Sequence, residues 1–374
     1  MKRLLLILAC IVLGQSSSLI GRAHSDAQSE IALSQPLVVK WRYDSNQTSN
    51  LTPATDGGMI YVPLARGVLV SLAVNDGKLN WRAEAGGEFS AAPAVDDHSV
   101  FAATEYTDEQ GHLHGTLRAL SKLTGVTQWM RTLPTPLRGS IAANGRALFA
   151  ADSEGRIYAF DKRTGLTIWV DQYAEGFSSH PTISGDHVFF GGDNGGLLIL
   201  EQASGVLTWS YRASGAIHGP IAVDDDAIYF GSNDGNVYAL SQLRHKLLWR
   251  RRTGAAVQSV AVVDNGVLAA SLDNFAYLLT RNKGSLIWRR LLPGRLSSRP
   301  VTAADGALFT PLSSDSAIVL SLRDGKPANT LALGQENSSS AGPLLVNDSV
   351  LITTAQGLLA FAPPQSKPAA TPGR

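Results

Sequence analysis

The chain has 374 residues, with 36 Gly and 17 Pro, and its 32 Lys and Arg nearly balance 31 Asp and Glu. So much Gly and Pro argues against long helices. The balanced charge excludes a polyanion-binding protein, so no nucleic-acid partner is expected. The sequence has no P-loop, G-x-S-x-G, H-E-x-x-H or C-x-x-C motif, and no catalytic residue is assigned.

Residues 1–23 are predicted to form an export signal. Two basic residues precede an apolar core, residues 4–13, which is too short to span a bilayer permanently. Cleavage is expected after Ala23, with Ala27 as the alternative. The protein is therefore expected in the periplasm or at the periplasmic face of the outer membrane.

The only cysteine, Cys10, lies inside that apolar core. The sequence ILAC that ends at Cys10 resembles a lipoprotein signal, but the following IVL is apolar rather than polar, so lipid attachment stays open. Cleavage after Ala23 would leave a chain without disulfides. The polar residues 24–35 are predicted to be a flexible tether, and residues 364–374 a disordered tail.

A phrase that ends in tryptophan recurs along the rest of the chain. The seven tryptophans all occupy this repeat position, at steps of 39 to 48 residues, and Asn329 stands at an eighth such position; they are Trp41, Trp81, Trp129, Trp169, Trp209, Trp249 and Trp288. A fixed period near 40 residues indicates a repeat architecture.

Strands rather than helices fit the repeat. Runs such as RIYAF and NVYAL are rich in β-branched and aromatic residues, and hairpin signals such as DSEG and SNDG flank them. Four strands per repeat make one blade of a β-propeller.

A glycine precedes most of the tryptophans by four residues, at the predicted turn between the third and fourth strands of each blade. A turn with positive φ favours glycine, and the tryptophan after it would be wedged between blades. His245 replaces this glycine in one copy, so that blade and the one with Asn329 are expected to be weaker. The glycines are Gly77, Gly125, Gly165, Gly205, Gly284 and Gly325.

The two ends of the repeat region complete each other. Residues 341–364 supply three strands without a fourth, and LVVKW, which ends at Trp41, supplies a fourth without the first three. The prediction is an all-β, eight-bladed propeller of four-stranded antiparallel blades over residues 36–363, closed by its N- and C-terminal strands.

The repeat AFDKRTGLTIW, residues 159–169, resembles that of pyrroloquinoline-quinone (PQQ)-type propellers. That family includes quinoprotein dehydrogenases and non-catalytic proteins such as the outer-membrane assembly lipoprotein BamB, so the fold alone does not choose a function. The dehydrogenases have a vicinal Cys pair, acidic and Asn calcium ligands and a catalytic Asp in the central funnel. The expected protein is a non-catalytic, monomeric scaffold without a cofactor. The alternative is a PQQ-dependent or other small-ligand-binding, quinoprotein-like dehydrogenase that uses the central funnel, and acids converging at the funnel would favour it.

One insertion carries the elements of a metal site. His112 and His114 lie in an eight-residue extension with Asp108 and Glu109. Two histidines without a defined third ligand are more typical of a polar hairpin tip, so no metal is assigned.

The loops that lead from each outer strand to the next blade are predicted to open on one face and to bind a protein partner. PLRG, residues 136–139, resembles the Leu-Arg-Gly loop with which BamB proteins bind their barrel partner, and this resemblance implies that Leu137 and Arg138 contact a β-barrel assembly component. The acidic residues that the family carries in a later loop have no counterpart in this chain. The predicted exposed contacts are Phe89, Leu137, Arg138, Phe177, His180, His218, Gln258 and Arg299.

Arginines recur at equivalent positions of two adjacent blades, with Lys246 nearby. They predict a basic patch for lipid headgroups or an acidic protein face, although charges on outer strands also prevent edge-to-edge pairing, which is the more common reason for them. The residues are Arg250, Arg251, Arg252, Arg289 and Arg290.

Overall fold

Short strands make up nearly all of the computed structural model, which describes residues 31–45, 48, 50–339 and 341–364. The sequence alternates turn signals with β-branched and aromatic runs, so each run pairs with the next through a tight turn. Within this described part, the helical content is one 3-10 turn, Ala65–Gly67, and no helix is long and apolar enough to cross a membrane. The predicted export signal with Cys10, residues 24–30 of the tether and residues 365–374 of the tail lie outside the described residues.

The strands fall into successive blades along the chain. The N-terminal strand is β1 (Val38–Asp44). Blades 1 and 2 contain β2 (Ala54–Thr55), β3 (Met59–Leu64), β4 (Val68–Ala73), β5 (Leu79–Glu84), β6 (Glu88–Val95), β7 (Ser99–Thr107), β8 (Leu113–Ser121) and β9 (Thr127–Leu133). Blades 3 and 4 contain β10 (Leu137–Asn144), β11 (Ala147–Asp152), β12 (Arg156–Asp161), β13 (Thr167–Gln172), β14 (Thr182–Ser184), β15 (His187–Gly191), β16 (Gly196–Glu201) and β17 (Leu207–Arg212).

Blades 5 and 6 contain β18 (Ala222–Val223), β19 (Ala227–Gly231), β20 (Asn236–Ser241), β21 (Lys246–Arg252), β22 (Val257–Val263), β23 (Gly266–Ser271), β24 (Phe275–Leu279) and β25 (Leu286–Leu291). Blades 7 and 8 contain β26 (Val301–Thr302), β27 (Gly306–Phe309), β28 (Ser316–Ser321), β29 (Pro327–Ala332), β30 (Leu344–Val346), β31 (Ser349–Thr354) and β32 (Gly357–Ala362).

The strands form eight four-stranded antiparallel blades, as the sequence predicts. In blades 1 to 7 the strand order follows the chain, and in blade 8 it is β30-β31-β32-β1. Strand β1 pairs with β32 from Val38 opposite Ala362 to Asp44 opposite Gly357, so the two ends of the chain share one blade and close the ring. A parallel bridge between Ser140 and Ala92 also joins blades 2 and 3. The apolar core lies between neighbouring blades rather than at one centre.

In six of the eight blades, the tryptophan covers the turn glycine of the next blade. Gly165 has φ 68°, and a Cβ there would lie 2.5 Å from the Trp129 ring, so backbone conformation and packing both require glycine. The Trp129 indole also donates from Nε1 to the Lys162 carbonyl at 3.0 Å. The same donation to the next blade occurs at Trp41, Trp81, Trp169, Trp249 and Trp288.

His245 keeps the turn without glycine. It has φ 52°, a conformation that costs a side-chain-bearing residue about 1–2 kcal/mol. Its imidazole stacks on Trp209 of the preceding blade with ring centroids 4.6 Å apart, and such ring pairs contribute about 0.5–1.5 kcal/mol. The stacking therefore offsets much of the backbone cost, and the expected weakening of this blade is small.

Asn329 is adapted to the closure of the ring. Blade 8 has no turn between its third and fourth strands, because β32 and β1 come from opposite ends of the chain. The N-terminal segment before β1 passes there instead, and the Asn329 amide donates to the carbonyls of Leu33 and Gln35 at 3.1 and 2.6 Å. A tryptophan would have no turn glycine to cover at this place.

The same contacts correct the predicted tether. Leu33 is 0% exposed and lies in the core between blades 7 and 8. The backbone N–H groups of Leu33 and Ser34 donate to the Asp305 carboxylate at 3.0 and 2.7 Å. Residues 31–35 are therefore part of the propeller. The sequence was misleading because the isolated apolar residues in this segment have no repeat partner.

Asn329→Trp, which restores the repeat, is expected to destabilise the protein by about 1–3 kcal/mol, because an indole would overpack this seam and the two amide hydrogen bonds would be lost. Thermal unfolding measures the effect. Asn329→Ala serves as the control that loses the hydrogen bonds without overpacking and should cost less. A raised melting temperature for Asn329→Trp would contradict the fit of Asn329 to the seam.

Candidate interaction surface

Two sets of loops meet on one face of the ring, which we call the upper face. They are the loops from each outer strand to the next blade and the loops between second and third strands, which antiparallel alternation places on the same side. Their backbones bond directly: Phe177 N–H donates to the Asp152 carbonyl at 2.9 Å, and Asn233 N–H donates to the Ala216 carbonyl at 2.8 Å. The upper face is thus a continuous, hydrogen-bonded surface.

Arg138 is held at the start of β10 on this face. Its Nη1 lies 2.7 Å from Oε2 of Glu105, near the end of β7 in blade 2, and the two side chains are 29% and 28% exposed. Gly139 fixes the loop, because it has φ 67° and a Cβ there would lie 1.9 Å from the Ser179 carbonyl oxygen. An ion pair so accessible adds little stability and leaves the guanidinium available to another carboxylate.

Two predicted contact residues are not exposed. Leu137 is 0% exposed and packs in the core between blades 2 and 3. Phe177 is 1% exposed and packs edge-on against Phe190, with ring centroids 6.2 Å apart. The expectation that these two side chains face a partner was wrong, because the apolar residue of each loop turns down to fill the gap between blades. Phe89 is half-buried, against the cluster that contains Trp81.

Polar side chains form a chain along the upper face from blade 4 to blade 6. Ser178 Oγ donates to Oδ2 of Asp193 at 3.2 Å, and Oδ1 of that carboxylate lies 3.3 Å from Nε2 of His218. Nδ1 of His218 lies 3.4 Å from the Asn233 amide, whose oxygen accepts from Gln258 at 3.0 Å. The sequence predicts His218 and Gln258 as separate contacts, and the structure joins them in one half-exposed network.

Eight equivalent positions surround the central channel where the innermost strands begin. Direct contacts place neighbours side by side: Ser140 bridges Ala92, and Gly342 N–H donates to Thr52 Oγ1 at 3.1 Å. Six of these positions are small residues, and the other two are His180 and Arg299; the full ring is Thr52, Ala92, Ser140, His180, Gly219, Ser259, Arg299 and Gly342.

His180 is the unusual member of this ring. Its Nδ1 is buried and has no hydrogen-bond partner among the described residues. Burial and, to a smaller extent, the positive charge of Arg299 lower the pKa of His180 to about 4. The imidazole is therefore neutral at pH 7, and Arg299 carries the positive charge of the ring.

The channel does not fit the site of a calcium-bound quinone. Calcium needs several oxygen ligands, usually with carboxylates among them, and the eight ring positions include no Asp or Glu. Within the described residues no group of three or more His, Cys, Asp and Glu could hold a metal ion.

The histidine-bearing hairpin between β7 and β8 uses its polar groups internally. Oδ2 of Asp108 lies 2.8 Å from Nε2 of His114 and 3.3 Å from Nδ1 of His112. A hydrogen bond from the His112 backbone N–H, together with those from the two imidazoles, lowers the pKa of Asp108. Both histidines thus brace one carboxylate, and His114 stacks on Tyr106 with centroids 5.5 Å apart.

The five predicted patch arginines are divided among three clefts between blades. Alternation separates Arg250 from Arg251 and Arg289 from Arg290, because successive side chains of a strand point to opposite faces. Burial raises the pKa of Tyr211 in blade 4, and the positive charge of the nearby Arg250 opposes this rise. Arg290 turns toward blade 7 and donates to the Gly325 carbonyl at 2.7 Å. The remaining three, Arg251, Arg252 and Arg289, line one cleft between blades 5 and 6. The prediction that arginines of neighbouring blades lie side by side therefore describes these three and not all five.

A family model described as "Outer membrane protein assembly factor BamB" matches residues 38–131, 113–217 and 213–369. The chain belongs to this family. A search of curated proteins gives no match.

Three solved structures share the fold at low sequence identity. BamB from Moraxella catarrhalis is 18% identical, with a TM-score of 0.73 over 87% of this chain and 97% of that one. The computationally designed Ika8 protein is 14% identical, with a TM-score of 0.74 over 87% and 99%. Quinohemoprotein alcohol dehydrogenase from Comamonas testosteroni is 12% identical, with a TM-score of 0.72 over 90% and 78%. The structures of an assembly factor, a designed protein and an enzyme thus resemble that of this BamB-family chain to nearly the same degree. The overall fold therefore does not decide its function.

Sequence reasoning missed Glu105, Asp193 and Asn233 on the upper face. Glu105 lies in a strand, and the other two lie in GDNGG and SNDG, which as sequences indicate only hairpin turns. The signal that could have found them is topological: loops between second and third strands share a face with the loops that lead to the next blade.

Proposed function

We propose that this BamB-family chain is a non-catalytic scaffold in the bacterial envelope that binds a component of the outer-membrane β-barrel assembly machinery. The family match runs along the whole propeller and supports this class of partner. The observation that carries the proposal is the accessible Arg138–Glu105 pair on a rigid upper face. We further propose that the chain is exported and acts as a monomer on the periplasmic side.

The mechanism is passive presentation. The closed ring holds Arg138 at a fixed place through Gly139, so binding orders little of the protein. A partner carboxylate can take the place of Glu105 in a two-bond interaction with the guanidinium, which is directional and specific. Polar groups of the network around His218 lie on the same face and add further contacts.

An affinity pull-down from detergent-solubilised envelopes tests the proposal. We expect the wild-type chain to retain a β-barrel assembly component and Arg138→Ala to lose it. Arg146→Ala is the matched control, because Arg146 belongs to the same blade, pairs with Asp161 at 2.7 Å and follows β10 on the opposite face. Glu105→Gln separates the roles of the pair and should retain the partner, since it frees the guanidinium.

Retention of the same component by Arg138→Ala would overturn the assignment of Arg138. If no assembly component binds to any form, the scaffold proposal itself fails. The alternative is then a small ligand in the channel, as in the quinoprotein class, and quinone absorbance of the purified protein tests it. The residues of the channel ring argue against that alternative, because they supply no carboxylate.

A further inference from the structure

A positively charged cleft opens on the perimeter of the ring between blades 5 and 6. It has a volume of about 380 Å³ and receives Arg251 and Arg252 from β21 and Arg289 from β25. Phe275 and Tyr277 of β24 form its aromatic wall, and the Arg289 guanidinium lies 5.3 Å from the centre of the Phe275 ring. Its arginines lie on the outer strands β21 and β25 of the two blades rather than on the innermost strands.

The positive charge of the cleft is only partly compensated by its own residues. None of its three arginines lies within ion-pair distance of a carboxylate among the described residues. Asp273 lines the cleft, but its Oδ2 accepts from Tyr277 Oη at 2.5 Å and from Gly254 N–H at 2.7 Å. The cleft is thus lined by three arginines and one carboxylate, which leaves an excess of positive charge.

Exposed leucines flank the cleft on the same two outer strands. Leu248 of β21 is 48% exposed, and Leu286 and Leu291 of β25 are 39% and 60% exposed. Leu286 belongs to the cleft lining. Strand β25, LIWRRL, therefore combines Arg289 with exposed leucines beside the cleft.

We propose that this perimeter surface docks on an anionic phospholipid bilayer, with a headgroup phosphate bound between Arg251 and Arg289. Arginine recognises phosphate oxygens through paired N–H donors, and basic residues next to an anionic leaflet add affinity that salt screens. The leucines favour a bilayer over an acidic protein face, because interfacial binding combines buried apolar area with charge attraction. The cleft borders the upper face, because Gly254 and Asp273 of its lining lie in upper-face loops. Its arginines come from the outer strands, however, and include neither Arg138 nor the network around His218, so the inference does not depend on the partner proposed above.

Vesicle flotation at low salt tests the docking surface. The probes are vesicles of phosphatidylcholine alone and vesicles that also contain phosphatidylglycerol. We expect the protein to bind only the second, and the double variant R251Q/R289Q to bind them about tenfold or more weakly, since each cation near an anionic surface contributes severalfold. Added salt should release the wild type.

The matched control is R42Q/R82Q. Arg42 and Arg82 follow the tryptophans of the adjacent blades 8 and 1 as Arg289 follows Trp288, and both are exposed. Every form carries the same N-terminal segment, so any lipid affinity of residues 4–13 cancels, and equal melting temperatures show that the variants fold.

If R42Q/R82Q still binds the phosphatidylglycerol vesicles, the result supports the cleft as the docking site. If both double variants lose vesicle binding equally, net charge alone explains the binding and the proposal is overturned. Equal binding to both vesicle types also overturns it. If glycerol phosphate in solution displaces the protein completely, the cleft is a site for free phosphate rather than for a bilayer. If polyglutamate binds the wild type and phosphatidylglycerol vesicles do not, the occupant is an acidic protein face.

Discussion

Trp249→Ala is expected to lower the free energy of unfolding by about 3–5 kcal/mol, the range for removing a large buried aromatic side chain. The Trp249 indole is buried between blades 5 and 6, where it covers Gly284 and donates from Nε1 to the Arg281 carbonyl at 2.6 Å. Urea denaturation followed by circular dichroism measures the loss. Trp249→Phe keeps most of the packing and should lose about 1 kcal/mol for the missing hydrogen bond, with some further packing loss.

Trp209→Ala is the matched control at the same repeat position. Trp209 is only half-buried and stacks on His245 instead of covering a glycine, so its removal should cost less than that of Trp249. Equal losses at the two positions would show that the contact with glycine and the deeper burial contribute nothing specific.

The titration of His180 by itself is expected to lower the free energy of unfolding by about 3 kcal/mol as the pH drops from 6.5 to 4. The pKa of His180 is lowered to about 4 in the folded state, whereas an exposed histidine titrates near 6.5. Between these values the unfolded chain binds a proton that the folded chain does not, so acid favours unfolding. Above pH 6.5 both states are neutral and the contribution vanishes.

Urea midpoints of the wild type and His180→Gln across this range isolate the effect. The variant should lack the His180 part of the decline, so the difference between the two curves changes by about 3 kcal/mol between pH 6.5 and 4. Carboxylates with lowered pKa values, such as Asp56 and Asp96, begin to lose their stabilising contribution as the pH approaches their usual pKa of 3.8. Both proteins contain these groups, so their contribution cancels in the difference. Parallel curves would show that His180 is not desolvated. Arg299→Gln is expected to raise the pKa of His180 only in part, since burial is the larger cause.

The fold could be predicted from sequence because the repeat signal is physical and local. A glycine with positive φ and a tryptophan four residues later recur wherever one blade covers the next, and blade number and closure follow from their spacing. The closing seam could not be predicted in the same way. Asn329 resembles a decayed tryptophan in sequence, and only the three-dimensional break between β32 and β1 shows that a small amide fits there.

The interaction surface was less predictable than the fold. Arg138 was found through a motif, but its pairing with Glu105 joins two blades and depends on how their loops meet. Leu137 and Phe177 were misjudged because apolar residues in loops are exposed or buried according to tertiary packing alone. The arginines of β21 and β25 stand out together in sequence, yet only the packing of the blades shows that Arg251, Arg252 and Arg289 line one cleft.

Because β1 and β32 share blade 8, the ring can close only late in folding. An emerging chain makes β1 first, but its partner ends at Ala362, so the ring cannot be sealed until nearly the whole protein has been synthesised. Until then, the core between blades 7 and 8 lacks Leu33 and stays incomplete. Pairing across so long a sequence separation is slow. A chain that has not yet been synthesised as far as Ala362 therefore keeps β1 unpaired and the ring open.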